Sequence, residues 1–243
     1  MYESHTQNQK YLNYIQPLNQ HVFGIIHHRL SSIDPLWYEK KILDYGCNVG
    51  HLLTTAPANT IDPTNYIGID PQYKALDVAR ENHPDANWIH YDGYHVAFNP
   101  NGSKTEKPNL PFNPEIIVSH GVFTHCDMET ILETLEYFKQ IIQPNGYIVF
   151  SVWEDKHYHY YIDKLLKERF GLAVPESIRS AEYNNSCYLI NRNEITVDKE
   201  HLDIESCDWL ETFYTRSYLL STIPGIVDLP GPQTKHTIFI LPT

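Results

Sequence analysis

Residues 40–53 read K-K-I-L-D-Y-G-C-N-V-G-H-L-L, and after a loop holding Pro57 and Pro63 the chain continues N-Y-I-G-I-D-P at 65–71. Ile42, Leu43 and Tyr45 form an apolar run that stops at Gly46, and a second run, Tyr66 to Ile69, stops at Asp70. Short apolar runs bounded by turn signals are the mark of strands buried in a parallel sheet. Gly46 and Gly50 bracket a tight turn feeding a short helical segment, 49–56, so the unit is strand, glycine turn, helix, strand, acid. In such a unit N–H groups at the helix start can hold an anion, and an acid about twenty residues later can hydrogen-bond a ribose diol. The expected ligand contains a nucleoside.

What the turn lacks narrows that ligand. A pyrophosphate binder needs G-x-G-x-x-G, so that the phosphates can approach and the helix can pack. Asn48 and His51 stand at the second and third of those glycines, and no Lys or Arg lies in the turn. This disfavours a nicotinamide-dependent oxidoreductase and favours a ligand with one carboxylate and a ribose. On Asp44, Gly46, Cys47 and Gly50 the sequence resembles the class I S-adenosylmethionine-dependent methyltransferases, whose first motif runs hydrophobic-hydrophobic-D-x-G-C-G-x-G. Asn48 departs from it at the middle glycine, where asparagine is tolerated because it visits positive φ readily.

The resemblance implies an α/β fold: a Rossmann-like, seven-stranded, mostly parallel sheet with helices on both faces, an N-terminal helical lid and an inserted element before the last two strands. One domain is expected, divided into a lid (1–39), a cofactor-binding core (40–154), an insertion covering the substrate (155–211) and C-terminal strands (212–243). The implied cofactor is S-adenosyl-L-methionine. Its expected contacts are Asp44, Gly46, Cys47, Asn48 and Gly50 in the turn, Asp70 and Pro71 after the second strand, Asp92 and Gly93 after the third, and Ser119 and His120 after the fourth. Asp92 takes the place of the acid that accepts from the adenine amino group.

Composition sets outer limits. The 243 residues carry a formal charge of -12, which argues against a broad nucleic-acid surface because phosphate binding needs clustered Lys and Arg. Cys47, Cys126, Cys187 and Cys207 form neither a C-x-x-C pair nor a compact framework, so a reducing compartment is expected. No apolar run approaches the ~20 residues needed to span a bilayer, and the expectation is a soluble cytoplasmic protein without membrane partners. Its oligomeric state is open, a homodimer included.

The remaining core elements follow in order. Residues 71–84 (P-Q-Y-K-A-L-D-V-A-R-E-N-H-P) predict a helix with Ala75, Leu76 and Ala79 inside, and 86–91 predict a strand. Residues 98–114 are rich in Pro and Asn and predict an exposed loop. A strand over 115–119 leads into V-S-H-G-V-F-T-H (118–125), a helix capped by Asp127, the turn Q-P-N-G (143–146) and a strand over 147–152. A helix over 155–170, one capped by Thr215 and two paired strands at the C-terminus complete the reading; residues 173–210 are left unassigned.

Loops after parallel strands face the ligand crevice, which gathers His120, Thr124 and His125 with Trp153, Glu154 and Asp155. For a hydroxyl acceptor a base must remove a proton, and histidine suits neutral pH. His125 is the first candidate, with His120 behind it and Asp155 orienting. Tyr11, Tyr14, Trp153 and Tyr158 are candidates for the wall around a small-molecule acceptor. Asp155, His157 and His159 invite a metal reading, disfavoured because positions 157 and 159 diverge on a helix. The expected activity is methyl transfer to an oxygen or nitrogen of a small molecule. A non-catalytic S-adenosylmethionine-binding scaffold, the oxidoreductase and a nucleic-acid methyltransferase stay open as alternatives.

Overall fold

Five apolar runs become the parallel strands β1 (Ile42–Tyr45), β2 (Tyr66–Asp70), β3 (Asn87–His90), β4 (Ile116–Ser119) and β5 (Tyr147–Glu154), lying side by side in the order β3-β2-β1-β4-β5. Ile42 stands in register with Tyr66 on one side and with Ile116 on the other. The computed structural model describes residues 22–94, 99, 101–103, 105–154, 187–191, 210–229 and 236–243. Four more strands follow: β6 (Cys187–Asn191), β7 (Leu210–Tyr214), β8 (Val227–Asp228) and β9 (Thr237–Pro242). β9 runs antiparallel to both β5 and β8, which completes the expected seven-stranded sheet as β3-β2-β1-β4-β5-β9-β8.

The other two strands were not foreseen. β6 and β7 form an antiparallel ribbon, and β7 joins the sheet parallel to β5 through Trp153↔Phe213 and Glu154↔Tyr214. β5 thus changes partner along its length, since residues 147–152 pair with β9. Phe213 and Tyr214, just ahead of the Thr215 cap, are the end of a strand, with fully buried rings.

Alternation along the strands sends side chains to two cores. Leu43, Ile67, Ile117, Ile148 and Phe150 face the helix that carries Ile131, Leu135 and Phe138. Ile42, Tyr66, Ile116, Val118 and Val149 face the opposite layer, which includes Phe23, Ile26 and Leu52. The helices are α1 (Val22–Leu30), α2 (His51–Thr54), α3 (Tyr73–Asn82), α4 (Met128–Ile141) and α5 (Arg216–Thr222). Two caps fall where the sequence places them: the Asp127 carboxylate accepts the Thr130 N–H at 2.8 Å, and the Thr215 hydroxyl accepts the Tyr218 N–H at 3.3 Å. α2 is only one turn long, shorter than the predicted 49–56, so its position depends on Leu52 and Leu53 packing beneath it.

Candidate cofactor site

The turn after β1 needs three residues at positive φ, and it has them: Gly46 at 79°, Asn48 at 52° and Gly50 at 76°. A side chain on Gly46 would collide with Val122, so this glycine answers both to backbone conformation and to close approach. Asn48 holds its left-handed conformation with its own Oδ1 accepting the Val49 N–H at 2.8 Å. Asn145, in the Q-P-N-G turn, is likewise left-handed at 63°.

The turn corrects one expectation. Its N–H groups do not face an anion, because each is already donated inside the chain. Gly46 and Cys47 donate to the Ile69 carbonyl at 2.8 and 3.0 Å, and Gly50 and His51 donate to the Cys47 carbonyl at 2.9 and 3.4 Å. The Asn48 N–H donates to Asp70 Oδ2 at 2.8 Å, and the Val49 N–H is the one held by Asn48. The left-handed residues fold the turn back onto the end of β2, which consumes the donors the sequence reading had assigned to a ligand.

Asp70 is therefore held rigidly. One oxygen accepts from Asn48 and the other accepts the Gln72 N–H at 2.8 Å. A carboxylate has about four lone-pair sites, so acceptor capacity remains on each oxygen. Burial raises its pKa to about 6 against the lowering effect of those two N–H bonds. Asp44 lies behind the turn and accepts the Tyr66 hydroxyl at 2.5 Å. Burial pushes it up to about 7; the Tyr66 bond opposes the rise and the Asp70 charge adds to it.

In front of Asp70 opens a cavity of about 450 Å³, within the usual range for a cofactor site. It runs from Gly46 and Asn48 past Asp70 and Pro71 to Gly93, with His125 on the α4 side. Those six were foreseen. Gln72, Tyr91, Tyr94 and Lys107 also line it and were missed, since nothing in their spacing marks them. Other expected contacts lie elsewhere. Cys47 is buried beneath the turn against Gly68, and Gly50 faces the Trp88 ring. Asp92 is exposed and accepts from Asn99 Nδ2 at 2.8 Å, so only its neighbour Gly93 reaches the wall. Ser119 is fully buried at the end of β4, and its Oγ has no hydrogen-bond partner among the described residues.

His120 and His125 do not stand one behind the other. His125 lines the cavity, whereas His120 does not, and its ring centroid lies 5.1 Å from that of His236. Trp153, expected as an acceptor wall, is only 5 % exposed and is wedged between His236 (4.4 Å, edge-on) and Phe213 (5.8 Å, stacked). Burial holds His120 well below the usual imidazole value, at about 4, with help from His51 and Arg29; His51 also falls to about 4 through burial. Sequence gave no signal for His236, which enters from the far end of the chain.

Tyr11, Tyr14, Asp155, His157, Tyr158 and His159 lie outside the described residues, as do residues 1–21 of the lid expected over 1–39 and the helix over 155–170. Among the described residues, no group of three or more His, Cys, Asp or Glu side chains is placed to hold a metal ion. Nor is any helix there long and apolar enough to cross a membrane.

A family model described as a methyltransferase domain matches residues 19–196. The chain belongs to that family. The methyltransferase is 25% identical over 166 residues to an uncharacterized methyltransferase of Bacillus licheniformis, covering 68% of this chain and 70% of that relative. Its fold is similar to that of DesVI from Streptomyces venezuelae, with a TM-score of 0.58 and 15% identity over the whole of both chains. It is also similar to CalS10, an amino pentose methyltransferase from Micromonospora echinaspora solved with S-adenosylmethionine bound, with a TM-score of 0.57 and 12% identity over 97% of each chain. The methyltransferase is a class I, S-adenosylmethionine-dependent enzyme.

Proposed function

We propose that this enzyme transfers the methyl group of S-adenosylmethionine to an oxygen or nitrogen of a small-molecule acceptor. The observation that carries the reading is Asp70, fixed by the Asn48 and Gln72 N–H groups at the wall of the cavity with acceptor capacity to spare for two ribose hydroxyls. When bound, the cofactor supplies a methyl group activated by the positive charge on its sulfur. The chain's own contribution is positioning. Asp70 grips the ribose, Pro71 and Gly93 line the wall beside it, and Gly121 leaves the cavity open at the end of β4. His125 on the cavity wall takes the proton when the acceptor is a hydroxyl. A small acceptor is supported by the charge balance of -12, which disfavours a polyanionic substrate.

Calorimetry with S-adenosylhomocysteine and with NAD tests the cofactor half of this reading. Binding of the first and not the second is expected, and the reverse overturns it. Mass spectrometry of small molecules copurifying with the protein identifies the acceptor. With that acceptor, His125→Ala is expected to slow turnover while leaving S-adenosylhomocysteine affinity unchanged; equal loss of both removes His125 from the proton-transfer role.

A further inference from the structure

Five of the six residues at 121–126 line the cavity, His125 among them. Local backbone structure holds this segment weakly. Its regular part is a single 3-10 turn, Phe123–His125, in which the His125 N–H donates to the Val122 carbonyl at 3.0 Å and the Cys126 N–H donates to the Phe123 carbonyl at 3.4 Å. One turn of that geometry does not fix a side chain by itself. The Phe123 ring anchors the middle of the segment in the core, and a buried hydroxyl holds each end. Ser151 Oγ, on β5, accepts the Gly121 N–H at 2.8 Å. The Tyr214 hydroxyl, at the end of β7, donates to the Cys126 carbonyl at 2.7 Å from 88 positions away.

We infer that Tyr214 is a positioning residue for His125: its hydroxyl fixes the Cys126 carbonyl and, through that peptide, the direction of the His125 ring in the cavity. This rests on the reading of His125 as the group that takes the acceptor's proton, and deepens it. The Cys126 carbonyl stands just ahead of the Asp127 cap of α4, where the helix supplies no donor. Cys126 is buried and Tyr214 fully so, which keeps water from competing for this bond. Loss of the hydroxyl deprives a buried carbonyl of a donor, and the peptide regains one by turning toward the cavity, where its neighbour is His125. Tyr214 is also the residue that docks the ribbon on β5, opposite Glu154. The ribbon thus supplies one of the two hydroxyl ties on the segment that carries the base. The ribose contact at Asp70 depends on neither tie, since its carboxylate is held by the Asn48 and Gln72 N–H groups.

Tyr214→Phe keeps the ring in its packing and removes the hydroxyl. Tyr147→Phe is the matched control, because the Tyr147 hydroxyl donates to Asp34 at 3.1 Å and neither residue lines the cavity. NMR of histidine-labelled protein follows the His125 imidazole, assigned by its loss in His125→Asn, and calorimetry measures S-adenosylhomocysteine affinity. In Tyr214→Phe the His125 resonance is expected to shift or broaden, both in the free protein and with S-adenosylhomocysteine bound, and in Tyr147→Phe it is expected to stay in place. S-adenosylhomocysteine affinity should hold within about two-fold. With the acceptor identified, kcat should fall roughly ten-fold and KM should change less than about two-fold. A His125 resonance that does not move, or that moves equally in the control, overturns the proposal; so does a shifted resonance with unchanged kcat. Loss of S-adenosylhomocysteine affinity in step with the resonance overturns it as well, because the whole cavity has then given way. Wild-type protein that does not bind S-adenosylhomocysteine overturns the cofactor reading instead, and the comparison on free protein still decides whether Tyr214 positions His125.

Discussion

At the ends of β1 and β2 the ionisable groups are the buried carboxylates of Asp44 and Asp70; at the end of β4 and the start of β9 they are the half-buried imidazoles of His120 and His236, whose ring centroids lie 5.1 Å apart. One glycine turn separates the two groups. The difference teaches that net charge, -12 over the chain, says little about the local field. The acid side offers acceptors to sugar hydroxyls and tolerates a cationic sulfur. The histidine side offers donors.

Removing the anchor of the acid side tests the contrast most severely. Asp70→Ala strips two N–H groups of their acceptor along with the ribose contact, and S-adenosylhomocysteine affinity measured by calorimetry is expected to fall roughly 30- to 100-fold. A loss under three-fold would mean the cavity does not hold a ribose there. Gly46→Ala forces a left-handed alanine into Val122, and denaturant unfolding should show a loss of about 2 kcal/mol. A companion Val122→Ala should recover only the steric part.

Asp44 offers a subtler test through pH. Its folded pKa, about 7, lies above the value of about 4 expected in the unfolded chain. Between those values the native state holds a proton that the unfolded state has released, so stability falls as pH rises through this window, and the cost is complete above pH 7. Asp44→Asn keeps an acceptor for the Tyr66 hydroxyl and removes the charge. Its melting temperature relative to wild type should rise from pH 5 to pH 8, a gain on the order of 1 kcal/mol; a constant difference would show that burial does not raise the Asp44 pKa. The smallest effect is expected for Asn48→Gly. Asn48 already adopts φ 52°, so unfolding experiments should register about 0.5 kcal/mol or less.

Much of the sheet was legible in the sequence because β1, β2, β4 and β5 are predominantly apolar runs bounded by glycine or polar residues. The turn geometry followed from Gly46 and Gly50, and Asp70 from its distance to them. Donor direction was not legible: the same residues support a turn whose N–H groups face outward or one that folds them onto Ile69 and Asp70, and only coordinates separate the two. Asp92 stands where the resembled family carries its adenine-binding acid, yet it is exposed and accepts from Asn99. The contact between His120 and His236 was invisible for a different reason. The two residues lie in distant segments, and only the β5–β9 pairing brings His236 beside Ser151. The β6–β7 ribbon was missed because Phe213 and Tyr214 stand just before a recognisable helix cap.

The handover of β5 from β9 to β7 gives the chain a natural graft point. Six residue pairs tie β5 to the C-terminal strand, but only two tie it to the ribbon. A relative could exchange the ribbon for another appendage and leave the nucleoside pocket undisturbed. In that sense the last two residues of β5 are a socket: the scaffold is inherited on one side of them, and novelty can be plugged in on the other.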